Sequence, residues 1–68
     1  MFDREKLNAL MESRSVTQKE LAEAIGKSDA AVSYIRRGLN EPSLRVAKRI
    51  AKYFGVAVDD LIKEEEEA

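Results

Sequence analysis

The chain has 68 residues, 12 Lys and Arg against 13 Asp and Glu, a net charge of -1, 44% hydrophobic residues, and neither Cys nor His. A chain of this size buries only about 60% of the surface it exposes when unfolded, so it supports one small core and no large substrate pocket. Disulfides, thiolate and imidazole metal sites, cysteine nucleophiles and histidine acid–base catalysis are excluded by inventory, and neither metal nor cofactor is expected.

Apolar residues recur at helical spacing and nowhere alternate, which predicts an all-helical fold of five short helices. Residues 4–13 form the first, with Asp3 as its N-cap, Leu7, Leu10 and Met11 on one face, and Phe2 placed to staple against Leu7. The second ends at Ile25 and opens on the strongest local signal, Thr17-Gln18-Lys19-Glu20, a capping box with Val16 placed to pack on Leu21. Gly26 and Lys27 then lead to Ser28, the N-cap of a third helix reaching Arg37, with Gly38 just beyond it. After Pro42, a fourth helix starts from Ser43 and carries Leu44, Ala47, Ile50, Ala51 and Phe54 as its inner face. Gly55 ends it, and a fifth helix is expected over residues 58–63, with the poor cap Ala57. Residues 1–63 thus form one domain. Residues 64–68 form an acidic tail, read as solvated and frayed in preference to a partner-binding or DNA-mimicking role.

The near-neutral total conceals segregated charge. Residues 27–52 hold seven basic and two acidic side chains, a net +5, whereas residues 53–68 hold one and six, a net -5. A basic middle is a possible footprint for nucleic acid, although solvated helix faces often look the same. Arg45, Lys48, Arg49 and Lys52 share the outer face of the fourth helix and are read as solvated, whereas Lys27, in the turn, is the better candidate for a phosphate.

Two short helices joined by a turn of about three residues containing Gly make a helix-turn-helix, whose second helix can enter the DNA major groove. The third helix has the two faces this requires: Ala31, Val32 and Ile35 on one side, Asp29, Ala30, Ser33, Tyr34 and Arg37 on the other. Together, residues 16–26, Ser28, Val32-Ser33, Ile35, Gly38, Pro42-Ser43-Leu44, Ile50-Ala51-Lys52, Phe54-Gly55-Val56 and Asp60-Leu61 resemble the lambda-repressor-like, Cro/C1-type helix-turn-helix regulators of bacteria and their phages, over residues 3–62.

The resemblance implies a compact five-helix bundle that binds double-stranded DNA and regulates transcription. It places Gln18 and Ser28 on phosphates, where helix N-termini also favour an anion, and it gives base reading to Asp29, Ala30, Ser33 and Tyr34. By side-chain chemistry Asp29 can accept from a cytosine amino group, Ala30 can touch a thymine methyl, and Ser33 can donate or accept. Many members pair an Arg of the first helix with a Glu of the third; here those positions hold Met11 and Arg36. That leaves Arg36 free to cover apolar surface or to add a phosphate contact. Arg37 and Asn40 are further phosphate candidates in a loop whose Leu39 and Glu41 cannot serve.

So small a domain makes few phosphate contacts, so a homodimer on a palindromic operator is expected, with half-sites about 34 Å apart and Tyr53, Ala57 and Val58 as interface candidates. The alternative function is an antitoxin-type interaction module that also binds DNA. Catalysis is not expected: Gly26-Lys27-Ser28 imitates a phosphate-binding loop, but Leu21 stands where its first glycine belongs, and Asp59-Asp60 lack a cleft. No apolar run approaches the roughly 18 residues of a membrane span, and the charged N-terminal residues do not read as a secretory segment, so a cytoplasmic protein is expected.

Overall fold

The computed structural model describes residues 1–64, so the reading of the acidic tail lies, apart from an exposed Glu64, outside the described residues. Among the described residues four α-helices follow one another, α1 (Arg4–Ser13), α2 (Gln18–Ile25), α3 (Asp29–Arg36) and α4 (Leu44–Phe54). Each starts where a side chain takes an orphaned N–H of its first turn: Asp3, Thr17, Ser28 and Ser43 accept from the backbone of Lys6, Glu20, Ala31 and Val46. The capping box is complete, since the Thr17 N–H also donates to Glu20 Oε1 at 3.0 Å. Those bonds, the backbone one first, hold the exposed Glu20 carboxyl below its ordinary value of 4.5.

The expected fifth helix is instead a single 3₁₀ turn, Val58–Leu61. Ala57 gives it no side-chain cap, and the chain beyond it is drawn into extended pairing. Phe2 and Ile62 form an isolated antiparallel bridge, in which the Asp3 N–H donates to the Leu61 carbonyl at 2.7 Å and the Lys63 N–H to the Met1 carbonyl at 2.6 Å. The Phe2 N–H donates to Glu41 Oε1 at 2.6 Å, which fastens the start of the chain to the loop before α4. Glu41 therefore has a structural task.

The core takes Leu7, Leu10 and Met11 from α1, Leu21, Ala22 and Ile25 from α2, Val32 and Ile35 from α3, and closes with Phe2 and Leu61. Val16 packs against it from the half-buried layer, as its place before the capping box predicts. On α4 the inner face is Val46, Ala47, Ile50, Ala51 and Phe54, whereas Leu44, expected inside, is 58% exposed. Leu44 and Val46 lie on opposite flanks of the stripe set by Ala47, Ile50, Ala51 and Phe54, at nearly equal angles, so spacing alone does not choose between them. The packing of α4 against α2 and the 3₁₀ turn does.

Two arginines reach between elements to cap helix ends, Arg49 donating to the Ile25 carbonyl at 3.2 Å and Arg14 to the Phe54 carbonyl. A cation at a helix C-terminus meets the negative end of its dipole as well as an orphaned carbonyl. Among the described residues, no helix is long and apolar enough to cross a membrane.

Candidate nucleic-acid interface

Between α2 and α3 lie only Gly26, Lys27 and Ser28. Gly26 has φ 71°, the left-handed conformation in which glycine alone is unstrained, and it lets the Lys27 N–H return to the Ala22 carbonyl at 2.9 Å. Ser28 Oγ accepts from the Ala31 N–H at 3.1 Å, so its capping role is filled while its own O–H remains a donor.

On α3, Val32 and Ile35 are buried and Ala31 is half-buried against the bundle. Asp29, Ala30 and Arg37 are exposed, Tyr34 is 48% exposed, and Ser33 is half-buried at the margin. The outer side is thus an accessible rod about 12 Å long bearing an acid, a methyl, a hydroxyl and a phenol, as eight residues at helical rise require. The Schellman closure at its end, with the Gly38 N–H on Ile35 and the Leu39 N–H on Tyr34, turns the chain away from the rod.

Gln18 is half-buried at the start of α2, and its amide touches both neighbours. Its Nε2 donates to the Asp29 carbonyl at 3.3 Å, and its Oε1 accepts from Arg36 Nη1 at 3.1 Å. Arg36 in turn donates through Nε to Asn8 Oδ1 at 2.8 Å, while Asn8 Nδ2 donates to the Arg36 carbonyl at 3.2 Å. Arg36 is therefore not the free side chain expected from its sequence position: two of its five donors hold α1 and α2 to α3, and three remain. Sequence reasoning missed Asn8, the partner that makes this arrangement work. Its helical phase was the available signal, since it precedes the buried Met11 by three residues and so shares that side of α1.

Lys27, Arg37 and Asn40 are all exposed around this rod, the first in the turn and the other two just beyond the end of α3. The dimer candidates are less uniform. Tyr53 is 41% exposed and sets its ring edge-on to Phe54 at 5.2 Å, and Ala57 is exposed, but Val58 is half-buried and packs on the protein's own core. The structure thus brings Gln18, Asp29 and Arg36 into one network, in which Tyr53 and Ala57 take no part.

Among the described residues no group of three acidic side chains is placed to hold a metal ion. A helix-turn-helix family model matches residues 7–61. The chain is 38% identical over 56 residues, 82% of its own length and 85% of the other's, to an uncharacterized HTH-type transcriptional regulator of Methanocaldococcus jannaschii. It is 37% identical over 62 residues to the HTH-type transcriptional activator BcrR of Enterococcus faecalis, covering 91% of this chain but only 30% of that protein. Over 61 residues, 90% of this chain and 55% of the other, it is 28% identical to the cryptic phage CTXphi transcriptional repressor RstR of Vibrio cholerae.

Proposed function

The chain belongs to the Cro/C1-type helix-turn-helix family of DNA-binding transcription regulators, and from that membership we propose that it reads specific sequences by laying the outer side of α3 in the major groove. Residues 1–63 act as a single DNA-binding unit, without catalytic activity, wherever the cell keeps its DNA. One observation carries the reading: the Gln18 amide bonds to the Asp29 carbonyl, so the start of α2 and the first turn of α3 meet at one edge of the exposed rod. In a groove-bound pose, the second Nε2 proton of Gln18 and the Ser28 hydroxyl donate to phosphate, with Lys27, Arg37, Asn40 and the remaining donors of Arg36 around them. Asp29, Ala30, Ser33 and Tyr34 then face base edges, where Ala30 suits a thymine methyl and Asp29 a cytosine amino group.

A second copy related by a two-fold axis, joined through Tyr53, Ala57 and Val58, sets two such rods one helical turn apart and requires a palindromic site. Repression, by occupying a promoter, is the favoured outcome, in keeping with the description of RstR as a repressor. An antitoxin-type role needs a protein partner as well, and affinity capture of a toxin-like protein with the chain would favour it.

Anisotropy titrations test the assignment. Gln18→Ala should weaken binding to all duplexes on the order of tenfold, the worth of one charge-assisted hydrogen bond, whereas Tyr34→Ala should alter which sequence is preferred. Selection of bound duplexes from a random pool should return an inverted repeat with half-site centres about 10 base pairs apart. Unchanged affinity and preference in both variants would defeat the groove-bound reading, and a non-repeated consensus would defeat the dimer.

A further inference from the structure

Arg45, Lys48, Arg49 and Lys52 recur on α4 at intervals of three and four, all exposed, and with Leu44 they form one open face of the helix. Arg49 is partly engaged, since its Nη1 donates to the Ile25 carbonyl; among the described residues no hydrogen bond joins Arg45, Lys48 or Lys52 to another side chain. Like charges at this spacing repel one another, so such a face gains from an anionic occupant. The aliphatic stems and the exposed Leu44 add apolar surface beneath the charges.

The chain carries a matching anion. Residues 64–67 are four consecutive glutamates, and the net -5 of residues 53–68 equals in size the net +5 of residues 27–52. The place where this segment leaves the fold is also suitable. Lys63 is bonded to Met1, and the neighbouring Phe2 to Glu41, so the chain emerges beside the loop that leads into α4. Five residues, 64–68, reach about 17 Å when extended, which matches the roughly 16 Å length of the 11-residue α4.

We propose that the basic face of α4 is the docking surface for the chain's own acidic segment, residues 64–67, and that the segment there competes with DNA phosphates for the cationic side of the protein. The competition rests on the DNA-binding reading above, whereas the docking does not. Repeated screening of exposed pairs by salt makes the contact weak and reversible, a modulator of affinity that leaves sequence preference untouched.

Two variants of the full chain test it. One carries Glu64→Gln, Glu65→Gln, Glu66→Gln and Glu67→Gln; the other carries Arg45→Gln, Lys48→Gln and Lys52→Gln. Without DNA at about 0.02 M salt, the amide NMR signals of Arg45, Lys48 and Lys52 should differ between the native chain and the glutamate variant, and the difference should vanish near 0.5 M. Differences confined to the residues around Glu64 would overturn the docking. On a random duplex at low salt, the glutamate variant should bind roughly fivefold tighter than the native chain. Combined with the α4 substitutions, the same four changes should give almost no further gain. An equal gain in both backgrounds would overturn the proposal, because the glutamates would then act only through net charge. If the α4 signals respond while no form binds any duplex, the docking stands and the DNA-binding reading falls.

Discussion

Ser15 holds φ 52°, the left-handed conformation that the other helix ends give to glycine. It closes α1 as they do, with the Val16 N–H on the Met11 carbonyl at 2.9 Å, but its Cβ crowds the following carbonyl. Ser15→Gly should therefore stabilise the fold by about 0.5 kcal/mol after the added freedom of the unfolded glycine is deducted, a rise in melting temperature of about 3 °C. Thermal denaturation measures it. The absence of glycine at this point is also why the sequence marks the end of α1 less sharply than the ends of α2, α3 and α4. Arg36 is legible to a similar, partial degree. Its departure from the family's Arg–Glu pair is visible in the sequence, but its partners Asn8 and Gln18 lie 28 and 18 residues away, and helical phase marks the side of α1 on which Asn8 lies without naming Arg36 as its partner.

At the level of the elements, the starts of all four α-helices can be read directly from Asp3, Thr17, Ser28 and Ser43, because a cap is a bond between residues three apart. Which flank of α4 turns inward is decided by distant neighbours, so Val46 is buried and Leu44, expected inside, is not. Their substitutions separate the two arrangements: Leu44→Ala should cost less than about 0.5 kcal/mol, and Val46→Ala about 2 kcal/mol, in urea denaturation. The fifth segment fails as an α-helix for a comparable reason, its pairing with Phe2 being a contact across 60 positions. The capping box of α2 gives stability an acid limb. Because the folded state holds Glu20 below its unfolded value of 4.5, its contribution is complete above that value and fades as the pH falls through the lower, folded one. Glu20→Gln removes this ionisation, so its melting temperature should converge on that of the native chain as the pH drops from about 6 to about 3; a gap that stays constant would contradict the assigned cause.

For the whole molecule, the two ends of the described chain close the core. Phe2 is 6% exposed and held from two sides, by Ile62 and by Glu41. Phe2→Ala should remove about 3 kcal/mol, a large share of the 5 to 15 kcal/mol typical of a native protein, and should be evident as loss of a cooperative melt or a much earlier one. Closure of this kind carries no local signature, whereas the helix-turn-helix, built from a cap, a glycine and a two-faced rod within 20 residues, carries several. The chain of bonds from Asn8 through Arg36 and Gln18 to Asp29 has a consequence for binding on the proposed reading. A long amide side chain that waits in a single rotamer has already given up its torsional freedom during folding, and immobilising a side chain of this kind at an interface otherwise costs about 0.5 to 1.5 kcal/mol. The duplex then meets a donor that is already immobile, and more of the hydrogen bond's enthalpy survives as affinity.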